Sequence, residues 1–234
     1  VLLEVSHIDT YYGIFQAIFQ VSLEISTGEA VCLLGRNGAG KTTTLTSIIG
    51  LNRPKSGMIK YKDHEITGRK PYQIARMGIG LIPEDRWVFS GLSVKENLEL
   101  GAGKKKAREG IFNLAQIYEL FPRLKAMEKR NAGTLSGGEQ QMLTVGRTLM
   151  GNPELILLDE PTAGLAPLVA QDLGDQISSL KQEGLSILLT EQNALLAMGI
   201  SERAYIMDKG VIVYEGSVGM LRKEEQTMRQ YLGV

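Results

Sequence analysis

Cysteine is almost absent from this chain and histidine nearly so, and neither sign of charge prevails. Its 234 residues include one Cys, two His and 26 Lys+Arg against 26 Asp+Glu. The single Cys32 leaves no intramolecular disulfide to form, so a reducing compartment is the expectation. A net charge of zero argues against a dedicated polyanion binder, because duplex affinity comes from Lys and Arg neutralising phosphates; no nucleic-acid partner is expected. No apolar run approaches the ~20 residues that a membrane-spanning helix needs. The first residues also lack the basic-then-apolar layout of a signal peptide. The chain is therefore expected to be soluble by itself, with any membrane role supplied by a partner. Its length fits one large domain or a core with an inserted lobe, and is enough to bury a core without disulfide or metal staples.

Glycine, by contrast, is abundant at 27 residues, and the excess falls in short clusters, as in loops that must approach a ligand or another backbone closely. Around them the pattern predicts short strands at Leu2–Val5, Ala17–Phe19 and Val21–Ile25, the last in strict alternation. Doubly buried strands are expected at Ala30–Leu34, Leu155–Leu158 and Ser186–Thr190. A helix over Leu168–Gln182 joins the last two as a βαβ unit, hence a parallel sheet. Strands at Ala204–Met207 and Val211–Tyr214 flank a hairpin turn at Asp208-Lys209-Gly210, and Val218–Leu232 reads as helical. From Glu84 to Met150 the character is helical, with a stripe through Ile111, Leu114, Ala115, Ile117, Tyr118 and Phe121. Lys104-Lys105-Lys106 reads as a solvated face. Trp87, Val88 and Phe89 read first as core packing of this helical lobe and second as a docking surface.

Gly35-Arg36-Asn37-Gly38-Ala39-Gly40-Lys41-Thr42 matches G-x-x-x-x-G-K-[ST], with a buried strand before it and a helix, through Thr43, after it. In such a loop the backbone amides wrap phosphate oxygens, the lysine reaches the β/γ-phosphates and the hydroxyl binds Mg²⁺. Asp159 and Glu160 end a buried strand at its carboxyl end, where open α/β sheets bind ligands. Asp159 is expected to hold Mg²⁺ and Glu160 to orient or deprotonate the attacking water. Nucleotide hydrolysis is the reaction that this pairing implies.

Leu135-Ser136-Gly137-Gly138-Glu139-Gln140, lying between these two motifs, resembles the signature of ATP-binding cassette (ABC) ATPases, and the resemblance spans essentially the whole chain. It implies an α/β P-loop NTPase core with an N-terminal antiparallel β subdomain and an inserted helical subdomain. Residues 1–83 and 152–234 would form the core, and 84–151 the helical part. It also implies that Ser136, Gly137, Gly138 and Glu139 read a γ-phosphate on an opposite cassette, in an ATP-sandwiched dimer with a second copy or a related subunit. Tyr12 matches the aromatic that stacks on adenine. Gly164-Leu165-Ala166-Pro167 matches the partner-touching loop, with Ala166 where Asp is usual. Glu84 stands where the Mg²⁺-sensing Gln is usual, and Gln192 replaces the switch His; His7 and His64 come too early to serve.

Pro-Glu-x-Arg, Gly-Leu-Ala-Pro, Glu-Gln-Asn-Ala and the ending Tyr-Leu-Gly-Val resemble the LivF branch, ATPase subunits of branched-chain amino acid importers. The implied partners are membrane-spanning permease subunits and, indirectly, a solute-binding protein. The implied place is the inner face of the plasma membrane. Two rivals stand beside this reading. One is a soluble ABC ATPase acting on DNA or ribosomes, which usually has two cassettes or a long coiled-coil insertion. The other is a cassette that Glu84 and Gln192 have left unable to hydrolyse, acting as a nucleotide-gated module.

Overall fold

A computed structural model describes residues 1–102 and 112–233. Two sheets divide the strands. The first is antiparallel, with β1 (Leu3–Tyr12), β2 (Phe15–Ile25), β4 (Ser56–Tyr61) and β5 (His64–Glu65) in the order β2-β1-β4-β5. The second holds β3 (Ala30–Leu34), β6 (Ile79–Ile82), β7 (Leu155–Asp159), β8 (Ser186–Glu191), β9 (Arg203–Asp208) and β10 (Val211–Ser217) in the order β10-β9-β3-β8-β7-β6. Its first five strands in sequence are mutually parallel, and β10 is an antiparallel edge.

The expected Ala17–Phe19 and Val21–Ile25 strands are one strand, β2. The alternation breaks at Gln20, which has a positive φ of 49° and shifts the register against β1. Before the bulge Phe15 and Phe19 face outward; after it Val21, Leu23 and Ile25 face the core. A one-residue insertion reverses which parity is buried, so a period-2 reading splits the strand there. Asp9 braces the bulge by accepting from the Gln20 and Gln16 side chains and from the Gln20 backbone.

The parallel strands β3, β7 and β8 are buried at every position. They are sandwiched by helices α1 (Lys41–Ile48), α2 (Pro71–Met77), α3 (Val94–Ala102), α4 (Leu114–Leu120), α5 (Pro122–Ala126), α6 (Gly137–Leu149), α7 (Pro167–Gln182) and α8 (Ala194–Ile200). One hydrophobic cluster joins Leu34, Ile156 and Leu158 of the sheet to Leu98, Ile117, Leu124 and Leu143 of the helices, so the lobe shares the sheet's core. The tail is not one helix but α9 (Val218–Leu221), α10 (Glu225–Thr227) and a wide turn at Met228–Leu232. Trp87 and Phe89 are each 53% exposed while Val88 packs on the core, so core packing holds for Val88 alone. Lys104–Lys106 and Ile111 lie outside the described residues. Among those described, no helix is long and apolar enough to cross a membrane.

Candidate nucleotide-binding and hydrolysis site

The chain leaves β3 at Leu34 and turns through Gly35–Gly40 into α1. Gly35 has φ 148°, and a Cβ there would lie 2.3 Å from the Met207 carbonyl oxygen. Gly40 precedes α1 at φ 110°, and no side chain caps the helix. With no acidic residue in its first turn either, the positive end of α1 draws no compensation from its own side chains, which suits it to an anion. The β9–β10 turn fixes the loop from above, where the Gly210 amide donates to Ala39 O at 2.8 Å.

Lys41 is 4% exposed. Its ammonium donates to Gly35 O at 2.9 Å and Arg36 O at 3.3 Å, and lies 3.0 Å from Glu160 Oε1. The other Glu160 oxygen accepts from the Gln192 amide at 2.5 Å. Glu160 has a left-handed φ of 43°, a conformation that a non-glycine residue adopts only when its surroundings hold it. Here the Glu160 amide donates to Thr190 O at 3.0 Å. Asp159 turns instead to α1 and β8, accepting from Thr42 Oγ1 at 3.0 Å and Thr190 Oγ1 at 2.7 Å. The two adjacent acids therefore engage different partners, one the loop lysine and the other the loop hydroxyl. Burial pushes the Asp159 carboxyl above its ordinary pKa against the pull of both hydroxyls. Glu84 is also raised, first by burial and then by the charges of Glu160 and Asp159.

These groups open on one cavity of about 520 Å³, lined by Asn37, Gly38, Gly40, Lys41, Thr42 and Thr43 together with Glu84, Glu160 and Gln192. Gln16, Ala17 and Phe19 of β2 and Lys209 of the β9–β10 turn complete the wall. Those four were not legible beforehand. Phe19 had a signal, an aromatic on the outward parity of a strand, but the bulge concealed that parity; nothing marks Lys209 beyond its turn. Tyr12 stands at the rim, 53% exposed, its hydroxyl accepting from Thr43 Oγ1 at 3.5 Å.

Ser136, Gly137, Gly138 and Glu139 start α6 and are not part of this wall. Ser136 Oγ accepts from the Glu139 amide at 3.4 Å, and Glu139 Oε2 accepts from the Ser136 amide at 2.7 Å, a reciprocal capping box. Sequence reasoning placed Arg86 within Pro-Glu-x-Arg but missed any role for it; its guanidinium donates to Ala163 O at 3.3 Å. It missed buried Glu191 too, which accepts from the Thr162 amide at 3.1 Å and hydroxyl at 2.6 Å.

Residues 18–163 match the ABC transporter family. The chain belongs to that family. It is 42% identical over 232 residues to the high-affinity branched-chain amino acid transport ATP-binding protein BraG of Pseudomonas aeruginosa, covering 99% of this chain and 100% of that one. It is 36% identical over 224 residues to the probable branched-chain amino acid transport ATP-binding protein LivF of Archaeoglobus fulgidus, covering 95% of each. It is also 36% identical over 220 residues to the lipopolysaccharide export ATP-binding protein LptB of Haemophilus influenzae, covering 93% of this chain and 91% of that one. Among solved structures, the ADP conformation of MJ1267, an ATP-binding cassette of an ABC transporter, matches with a TM-score of 0.83 at 28% identity, covering 99% of this chain and 97% of that one.

The protein is thus an ABC ATPase, and its cavity is read as that of a cassette. The Thr42 hydroxyl and Asp159 carboxylate converge as hard oxygens, which fits Mg²⁺. No cluster of three or more His, Cys, Asp or Glu that could hold a metal exists among the described residues. Mg²⁺ in nucleotide sites takes one or two carboxylates and completes its shell with phosphates and water.

Proposed function

We propose that this cassette hydrolyses MgATP to power a branched-chain amino acid importer. The observation that carries the reading is the 42% identity to BraG over that protein's entire length. Lys41 exchanges its loop carbonyls and Glu160 for phosphate oxygens, and the amides of Gly38 through Thr43 bind the remainder. Tyr12, with Phe19 and Ala17 below it, takes the adenine side. Thr42 and Asp159, with Glu84 nearby, would hold Mg²⁺, which would neutralise charge on the phosphates. Water attacks the γ-phosphorus, its proton passes to a Glu160 oxygen, and the bond to the ADP oxygen breaks. Gln192 holds the second Glu160 oxygen, so the first is aimed at the water.

Ser136 and the amides after it would reach the nucleotide of an opposite cassette, which makes the active form a head-to-tail dimer. Residues 84–151 act as the helical part. The exposed Trp87 and Phe89 offer a surface to membrane-spanning permease subunits at the inner face of the membrane, which a solute-binding protein feeds from the other side. Glu84, two residues into that loop and on the cavity wall, links nucleotide state to the docked subunits.

Co-purification with membrane subunits followed by reconstitution tests this reading. ATP-dependent leucine uptake that is lost in Glu160→Gln is the expected result. Lipopolysaccharide export subunits in the complex, or no uptake of any aliphatic amino acid, overturn the importer assignment. Phosphate release that survives in Glu160→Gln overturns the catalytic one, since a group of this kind supplies about 10²-fold or more.

A further inference from the structure

The arginine of Pro-Glu-x-Arg, for which sequence reasoning found no role, touches two of the cassette's functional turns. Arg86 follows Glu84 by two residues, and its Nη2 donates to Ala163 O at 3.3 Å, in the loop directly behind Glu160. The same guanidinium lies against the first residue of α6: a Cβ added to Gly137 would sit 2.2 Å from Nη1 and 2.7 Å from Cζ. A Cβ on Gly164 would lie 3.5 Å from Nη2. The planar fork thus fills the space between the signature turn and the loop after the catalytic acid. Only a glycine at 137 lets it come so close.

The loop that bears Arg86 is itself fastened to the far end of α6. Arg147, in the last turn of that helix, donates to the Trp87 carbonyl and stacks over the Phe89 ring at 5.0 Å from its centroid. The segment from Arg86 to Phe89 is therefore held at both ends of one helix. A flexible point-charge lysine could not reproduce this, because the fork has several donors in a fixed plane while an ammonium makes one centre of contact.

We propose that Arg86 is a positioning residue for ATP hydrolysis, setting the signature turn at Gly137 against the loop behind Glu160 so that both present correctly across the nucleotide-sandwiched dimer. The inference rests on the reading that Ser136 and its neighbours reach the opposite nucleotide. It assigns Arg86 no contact with ATP. Loss of Arg86 leaves the phosphate loop of the single chain intact, and what fails is the alignment of two turns needed in the closed state.

The test uses the full chain in whichever assembly its wild type hydrolyses ATP, with kcat for ATP and Kd for ADP as paired readouts. Arg86→Ala is expected to lower kcat by about tenfold or more, as a misplaced constellation does, while ADP, which occupies the phosphate loop, binds as to wild type. Arg86→Lys should recover only a small part of the loss, and added guanidinium ion should raise the turnover of Arg86→Ala but not that of Arg86→Lys. Gly137→Ala should lower kcat strongly in the wild-type background and much less in Arg86→Ala, because the methyl group then meets no guanidinium; contacting residues are non-additive in this way. An unchanged kcat in Arg86→Ala overturns the proposal. So does an ADP Kd that weakens in step with kcat, full activity in Arg86→Lys, or losses that simply multiply in the double variant. Ser136→Ala separates the two levels: if it costs nothing, the underlying reading of the signature fails and this inference with it. If it costs activity while Arg86→Ala does not, only the role of Arg86 falls.

Discussion

Two glycine-led turns start helices in this cassette, and they manage the positive end of the helix in opposite ways. At α1, Gly40 in a left-handed conformation precedes Lys41, with no side-chain cap and no acid in the first turn. At α6, Ser136 precedes two glycines and is closed by a capping box, with Glu139 in the first turn. Hydrogen bonds from the Ser136 backbone and hydroxyl hold the Glu139 carboxyl below its ordinary pKa, so its charge is stably present. The first turn therefore relies on an external anion, whereas the second supplies its own. On the proposed reading, the second turn would meet an anion only on dimer closure and would gain from a cap that holds it folded in between, since such a cap contributes about 1 kcal/mol.

The glycines make the sharpest break in that comparison. Gly35→Ala places a methyl group against the backbone oxygen of Met207 at a positive φ, and neither can give way. It is expected to destabilise the fold by about 3 kcal/mol or more and to abolish nucleotide binding. Gly138→Ala, by contrast, meets side chains rather than backbone, Val169 closely and Leu165 at ordinary contact distance; Val169 can change rotamer, so the fold and ADP binding should survive while turnover falls. Thermal unfolding and ADP titration of the two variants check this. Equal destabilisation would mean that both turns are equally rigid and that the contrast is false.

Next in size is Gln192. Its amide donates to Glu160, so Gln192→Ala should leave the carboxylate free to rotate and lower turnover by about 10², the scale of one preorganised donor. ATP affinity should hold, because Lys41 and the loop amides remain. Gln192→His should retain activity and add an inflection near the ordinary imidazole pKa, about 6.5. Unchanged turnover in Gln192→Ala at saturating ATP would reduce the residue to a structural one.

Much of the phosphate corner was legible in the sequence because its chemistry is local: eight consecutive residues make the loop, and Asp159-Glu160 end one apolar run. Where the reading stopped, the cause was a contact between distant segments. Thr190 meets Asp159 from a neighbouring strand, Glu191 holds Thr162 across 29 residues, and Arg86 meets Ala163 across 77. No periodicity encodes such pairs. The strand count failed for another reason, a bulge at Gln20 that inverted the buried parity, and the outward-facing Phe19 was lost with it. Trp87 and Phe89 show a third limit: an apolar trio carries no mark of which members the fold leaves outside.

A third helix start is smaller in effect. Ala166 precedes Pro167 at the head of α7 in an extended conformation and provides no side-chain cap. Ala166→Asp puts a carboxylate where it can accept from the amides of the first turn, and should stabilise the chain by about 1 kcal/mol. A rise in the thermal midpoint checks it, and no rise would show that the loop cannot bring the side chain to those amides.

The smallest expected effect concerns the brace behind the phosphate corner. Glu191 is 3% exposed; burial raises its carboxyl above the ordinary value of 4.5 against the pull of the Thr162 hydroxyl and amide, and the Glu160 charge raises it further. A carboxyl whose folded pKa exceeds its unfolded one favours folding fully below the unfolded value, and that contribution is lost as pH rises through the folded pKa. Glu191→Gln carries no charge to bury and keeps an oxygen that can accept from the Thr162 amide. Compared with wild type, the variant should therefore gain stability as pH rises from about 4 toward 7, the window that opens at the ordinary carboxyl pKa. Asp159 and Glu84 are raised as well, but they titrate in both proteins and largely cancel in the difference. Paired thermal unfolding at several pH values measures it. A difference that stays flat, or that favours wild type more at neutral pH than in acid, would mean that the Thr162 hydrogen bonds outweigh burial and that the carboxylate is held ionised as a structural anchor.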